Sequence, residues 1–251
     1  MARLAVGRRP PFVLCYHGVG PGTRGGDPHG LFISGELFER HLDVIASHGY
    51  RLIGLSELWG RIDRGEDVDS YGTITFDDGL VSTVETAMPI LRSRNIVSAM
   101  YVPTGLLGTR HPDLDRDERI LTGPEVCALA EQGVELGAHS VDHVRLPKLS
   151  RKEALEQMRR SRIELEDLLG RPVTSMAYPF GALDGQTMEA AREAGYETAC
   201  ACSGPGPWKA FAIPREPIYA TATDLRIALK IAGLYGPVHR VADMRRQLFR
   251  R

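Results

Sequence analysis

The sequence predicts an α/β protein on a parallel sheet, either an open doubly wound sheet or a (β/α) barrel. Three observations carry this. Apolar runs of about five residues recur along the chain, most of them followed by Gly, Pro or polar residues. Amphipathic segments with readable helix ends lie between those runs. No internal repeat or long linker divides the 251 residues, so one domain is expected. Alternation of strands and helices, with strands that read as buried, is the pattern of a sheet covered by helices.

Taken in order, the first strand is expected at 12–16 and a helix at 34–47. A strand at 72–76 leads into a helix at 80–94, whose Val81, Val84, Met88 and Leu91 share one stripe. A strand at 98–102 follows, and then the one long irregular segment, 105–121, which reads as an active-site-side loop or an insertion. Thr122 with Glu125 opens a helix ahead of a strand at 134–138. Ser150 with Glu153 forms a second capping box. That helix runs through Leu155, Met158, Leu165, Leu168 and Leu169 and stops at Gly170, with Pro172 just beyond. Strands at 174–178 and 197–201 flank a helix at 185–194.

Composition narrows the function classes. Lys+Arg 31 against Asp+Glu 32 leave a formal net charge of −1, without the basic surplus of a nucleic-acid binder. Cys15, Cys127, Cys200 and Cys202 form no CxxC pair and no zinc-ribbon spacing, and read as reduced, packed thiols. The opening MARLAVGRRP lacks the apolar stretch of a secretory signal, and no segment reaches the ~20 apolar residues of a membrane span. A cytoplasmic location is the expectation. The C-terminal RRQLFRR reads as a solvated helix end.

Four strand ends carry polar residues that a packed scaffold does not require. Asp77-Asp78-Gly79 ends the strand at 72–76, where the ligand side of a parallel α/β fold lies. Adjacent carboxylates repel, so a cation or a shared proton would stabilise them; a helix N-cap with dipole-favoured acids is the plainer reading. His139 and His143, spaced HxxxH after the strand at 134–138, converge on one metal if the segment is helical or turns tightly, and otherwise are two surface histidines. With one aspartate they make a two-histidine, one-carboxylate set that leaves open positions for water and a substrate oxygen. Tyr178-Pro179-Phe180-Gly181 ends another strand, either as a packed turn or as a groove wall whose backbone amide meets an oxyanion. His17, between the first strand and Gly18, is either a capped strand end or an acid at the same rim.

Thr75-Phe76-Asp77-Asp78-Gly79, His139-Ser140-Val141-Asp142-His143 and Tyr178-Pro179-Phe180-Gly181 resemble, in order and spacing, the motifs of the NodB-homology polysaccharide deacetylases, carbohydrate esterase family 4. The resemblance spans 11–220, leaving 221–251 as an expected helical tail. It implies a distorted (β/α) barrel that removes N-acetyl groups from amino sugars with one divalent metal, Zn2+ first and Co2+, Mn2+ or Ni2+ as alternatives. Asp78, His139 and His143 would be its ligands, Asp77 the general base, and the Phe180 amide an oxyanion donor, with Tyr178 and Pro179 beside it in the substrate wall.

The sequence departs from that pattern in three places. Ala177 stands where the family commonly has an arginine that contacts the base; Arg215 is the candidate replacement. The DxxDW motif is absent. So is the C-terminal LxH motif, which His239 does not fit, whereas Cys15-Tyr16-His17-Gly18 is similar to a rearranged branch with its catalytic histidine at the N-terminus, so His17 is the expected general acid. The expected substrate is an N-acetylated sugar, with no nucleic-acid partner and a homo-oligomer left open. Competing readings are a deacylase of a small molecule or cyclic amide, a non-catalytic carbohydrate-binding barrel, and a non-haem iron oxygenase.

Overall fold

A computed structural model describes residues 9–235, apart from 21–26, 28, 115–116, 203 and 205. RRQLFRR and His239 lie outside the described residues. The expected strands form with trimmed ends: β1 (Phe12–Tyr16), β5 (Tyr71–Phe76), β6 (Ser98–Val102), β7 (Glu135–Ala138), β8 (Ser175–Ala177) and β9 (Thr198–Cys200). Two-residue strands β2 (Gly18–Val19), β3 (Phe32–Ile33), β4 (Arg51–Leu52) and β10 (Glu216–Pro217) add to them. The helices are α1 (Gly35–Ser47), α2 (Leu55–Asp63), α3 (Val81–Ser93), α4 (Gly123–Glu131), α5 (Arg151–Leu169), α6 (Gly185–Glu193) and α7 (Asp224–Ile231).

The main sheet is parallel throughout and runs β10-β1-β5-β6-β7-β8-β9, with β4 beside the start of β5. Its two edges meet at one segment, 213–217. Ile213 bridges in parallel to Cys200 of β9, and Glu216–Pro217 lie beside Leu14 and Cys15 of β1. The sheet therefore curls into the distorted (β/α) barrel that the sequence led us to expect.

Strand alternation sorts the core into two layers. Phe12, Leu14 and Tyr16 of β1 face outward with Ile74, Phe76, Met100 and Val102, and pack under helix residues such as Phe38, Leu42, Met88 and Leu91. Val13, Ala99, Tyr101, Ala177, Cys200 and Ile213 form a second cluster inside the curl, joined by Leu55 and Leu58 of α2. Helix ends follow their side chains: Ser150 and Glu153 make a reciprocal cap on α5, and Gly170 ends it at φ 64. Described residues beyond 221 pack on the body. Ile227 and Ile231 are buried, Lys230 Nζ lies 2.9 Å from Glu216, and Tyr50 Oη donates to the Ile231 carbonyl at 2.8 Å. All four cysteines are free. No described helix is long and apolar enough to cross a membrane.

Candidate metal centre

The parallel ladder itself delivers the site residues. The amide of Asp77 bonds to the Tyr16 carbonyl at 2.9 Å, that of His139 to Val102 at 2.9 Å, and that of Tyr178 to Cys200 at 3.1 Å. Each residue is thus held one step past a strand's carboxyl end, where parallel α/β sheets present ligands. The backbone then turns sharply. Asp78, Ser140, His143 and Phe180 have φ values of 71, 61, 51 and 59°, left-handed geometry that costs on the order of 1–3 kcal/mol each in non-glycine residues. Gly79 follows at φ 63, and a Cβ there would stand 2.8 Å from Val102 Cγ1, so the close approach as well as the turn requires glycine.

HxxxH converges through this turn and not through a helix. Ser140 Oγ accepts from the His143 amide at 3.1 Å, and Gln157 Oε1 accepts from the amides of Val141 and Asp142 at 3.1 and 3.0 Å. His143 Nε2 lies 3.2 Å from Asp78 Oδ1, and His139 Nε2 lies 3.6 Å from it. One ligand atom from each of the three residues falls within 4.8 Å of the others. His139 Nδ1 bonds to the Ala177 carbonyl at 2.8 Å and His143 Nδ1 to Asp113 Oδ2 at 3.2 Å, so both rings donate from Nδ1 and turn Nε2 toward Asp78. Asp78 Oδ1 is buried and has no hydrogen-bond partner among the described residues. A buried, unpartnered carboxylate oxygen faced by two imidazole nitrogens fits a divalent cation, which would take the place of any proton on them, and a mixed nitrogen and oxygen donor set suits zinc and its first-row neighbours.

Asp77 has a different environment although it is the next residue. Arg215, fully buried, reaches it with Nη1 on Oδ1 and Nη2 on Oδ2, both at 2.7 Å. Arg215 Nε donates to the Ala201 carbonyl at 2.9 Å and its guanidinium lies over the Tyr101 ring at 5.3 Å. Burial alone would raise the Asp77 carboxyl, but the guanidinium overrides it, with help from His139, and holds it down at about 2. Burial likewise opposes ionisation of Asp78, yet His143 and His111 hold its carboxyl well below the usual range. Burial brings His139 down to about 4 against the pull of Asp77. His143, also desolvated, is carried up to about 9 by Asp78 and Asp113.

His17 offers a ring nitrogen in a group with Cys15 Sγ and Asp77, these atoms within 4.8 Å of one another. Its Nδ1 is buried without a hydrogen-bond partner among the described residues. A cation in this second group would compete with the Arg215 guanidinium already on Asp77. Tyr178 and Pro179, expected beside Phe180 in a substrate wall, are buried, and Tyr178 Oη donates to the Phe211 carbonyl at 3.0 Å. Phe180 is 45% exposed, and its ring sits 4.7 Å from the His143 ring, with the Arg145 guanidinium 4.2 Å from its centre.

Two residues at the site were absent from the sequence reading. His111 is buried with Nε2 3.4 Å from Asp78 Oδ2, and Asp113 is the partner of His143. Both come from the irregular segment after β6, and the only sequence hint was a histidine and an aspartate around Pro112 in a polar loop.

Fold and site together define a (β/α)-barrel protein with a candidate metal centre at its strand ends and a separate, arginine-bound carboxylate beside it. The chain belongs to the polysaccharide deacetylase family, the NodB-homology group: the family's sequence model, described as polysaccharide deacetylase, matches residues 65–199, more than half of its length. The Bacillus subtilis (strain 168) protein YxkH is 23% identical over 186 residues, covering 74% of this chain and 62% of YxkH. The peptidoglycan-N-acetylglucosamine deacetylase PgdA of Listeria monocytogenes serotype 1/2a (strain 10403S) is 30% identical over 116 residues, covering 46% of this chain and 22% of PgdA. The chain thus spans less than two thirds of either curated relative. Among solved structures, the Streptococcus pyogenes deacetylase PplD in complex with acetate superposes with a TM-score of 0.74 at 18% identity, covering 88% of this chain and 97% of PplD, a likeness of fold.

Proposed function

We propose that the protein is a metal-dependent N-deacetylase. It hydrolyses the N-acetyl group of an amino sugar, carried on a polysaccharide, an oligosaccharide or a sugar-bearing metabolite, to free amine and acetate. The observation that most supports this is the division of labour between two adjacent aspartates: Asp78 faces two imidazoles, while Asp77 is gripped by a guanidinium. The family match and the name of PgdA favour an N-acetylated sugar as substrate.

Asp78, His139 and His143 would hold the cation, Zn2+ in first place, which when bound supplies Lewis-acid polarisation of the acetyl carbonyl and a more acidic water. Asp77 removes a proton from the attacking water. Arg215 keeps that carboxylate ionised and fixes its orientation, taking the place of the motif arginine for which Ala177 stands. The Phe180 amide donates to the developing oxyanion, and the exposed Phe180 ring gives the sugar an apolar face to lie on. His17, with a ring nitrogen within 4.8 Å of the Asp77 carboxylate and Nδ1 buried without a partner among the described residues, protonates the departing sugar nitrogen, as in the branch with an N-terminal histidine.

Mass spectrometry of N-acetylated sugars incubated with the protein tests this. Loss of an acetyl mass that stops with chelator and returns with Zn2+ is expected. A panel of N-acetylated oligomers and glycosides that keep every acetyl group would overturn it. Comparing oligomers with a single small glycoside separates a polymer enzyme from a metabolite deacylase.

A further inference from the structure

We infer that His111 and Asp113 are positioning residues of the metal centre, carried to it by a hairpin that is fastened to the turn holding Asp78. This rests on Asp78, His139 and His143 being the ligand set.

After β6 the chain makes an irregular hairpin. Arg110 and Arg119 form an antiparallel bridge, the His111 amide bonds to the Glu118 carbonyl at 2.8 Å, and the Ile120 amide bonds to the Thr109 carbonyl at 2.9 Å. The returning strand pairs with the residues directly after Asp78. Leu80 bridges to Ile120, the Leu121 amide bonds to the Gly79 carbonyl at 2.9 Å, and the Val81 amide to the Arg119 carbonyl at 3.0 Å. The Glu118 carboxylate accepts from the Ser82 amide at 3.0 Å. Hairpin and Asp78 turn are therefore one hydrogen-bonded body, anchored by the buried Leu80, Leu114 and Ile120.

Two side chains of that hairpin face the ligands. Asp113 accepts from His143 Nδ1 at 3.2 Å, a carboxylate–histidine pair that fixes the ring's tautomer and raises its basicity. His111, 3% exposed, directs Nε2 at the other carboxylate oxygen, Asp78 Oδ2, 3.4 Å away, and stands edge-on to the His143 ring at 5.4 Å. Nε2 is buried and makes no hydrogen bond among the described residues, its approach to Asp78 Oδ2 being an ion-pair distance. The amide of Asp113 donates to His111 Nδ1 at 3.2 Å. That nitrogen accepts and carries no proton, so the ring proton lies on Nε2, on the side of Asp78 Oδ2, and His111 is placed to become a donor to that oxygen and not a fourth ligand. Its proposed effect is to draw Oδ2 toward the Nε2 proton, leaving Oδ1 for the cation, while Asp113 performs the matching task on His143.

The test is Co2+ binding by chelator competition, with the visible Co2+ spectrum as the structural readout, on the full chain and on H111L, H111Q and D113A. H111L and D113A are expected to weaken Co2+ binding by ~10–100-fold, the usual worth of a hydrogen bond behind a ligand, and to shift the visible bands. H111Q, which keeps an N–H donor but is a poor ligand, is expected to restore most of the affinity. D113A changes a half-exposed side chain, so it reports even if H111L fails to fold. Unchanged affinity and spectrum in H111L and D113A would overturn the inference, as would H111Q binding as weakly as H111L. A wild-type chain that takes up no Co2+ would overturn the ligand assignment and this inference with it.

Discussion

Asp77 and Arg215 lie 138 positions apart in the chain and meet in a two-pronged fork, each contact 2.7 Å, with both side chains buried. Removing one member of such a pair leaves the other as an uncompensated buried charge. Arg215→Met should therefore destabilise the protein by ~3–5 kcal/mol in urea unfolding, and Asp77→Asn in the same chain should recover part of that loss. Equal stabilities for Arg215→Met and the wild type would contradict this account of the fork.

Asp77→Asn alone separates the two aspartates by role. As the base, Asp77 should be worth ~10²–10⁴ in turnover. Metal content by elemental analysis should stay at the wild-type level, because Asp78 and both histidines are untouched. Full turnover in this variant would remove Asp77 from the chemistry.

His139 should behave in the opposite way. Its ring is aimed by the Ala177 carbonyl at 2.8 Å, and His139→Ala deletes a proposed ligand together with that contact. Metal should then be lost on dialysis, and activity with it. Chelator treatment of the wild type should lower its unfolding midpoint, since a cation at 100 times its Kd stabilises the folded state by about 2.7 kcal/mol. Metal retained by His139→Ala at wild-type stoichiometry would refute the ligand role.

A separate pH effect is built in at His41, away from the proposed ligands. Its ring is fully buried, with Nε2 bonded to the Ala222 carbonyl at 2.9 Å and Nδ1 to Tyr16 Oη at 3.2 Å, a pairing that suits the neutral ring. Burial lowers its pKa below 6.5. Above 6.5 the ring is neutral in both folded and unfolded chains. As pH falls from 6.5 toward the lowered folded value, the unfolded chain takes up a proton that the folded one refuses, so stability drops through that window. Urea midpoints at pH 7.5 and 5.5 should fall further apart for the wild type than for His41→Gln; parallel losses would exclude this linkage.

Much of the fold is legible because its signals are local. Ser150 with Glu153, Thr122 with Glu125, and Gly170 at φ 64 mark helix ends by their own side chains, and five-residue apolar runs mark strands. What was missed depends on distant partners. β2, β3, β4 and β10 are two residues long and exist only as someone else's neighbour. α2 breaks its apolar stripe of Leu55, Leu58 and Ile62 with Gly60, and no strong cap announces it. At the site, Asp78 and His139 were visible because they lie within two residues of a strand end, and His143 because it closes the HxxxH spacing from His139. His111 reads as a solvated loop residue, since its burial is created by a hairpin that folds back on a turn more than thirty positions earlier.

The segment 213–217 that bridges the two edges of the sheet also sets an order of assembly. During synthesis the chain has made Asp78, His139 and His143 long before Ile213 and Arg215 emerge. Until then β1 and β9 are bare edges, the kind of surface that invites pairing with another chain. Arrival of the last strand covers both edges and delivers the guanidinium to Asp77 in the same event. A fragment cut at 65–199 would keep the three ligand residues yet carry two open edges and neither His17 nor Arg215. A half-made molecule thus has the proposed metal ligands, His17 and Asp77, but lacks the guanidinium that fixes the Asp77 carboxylate.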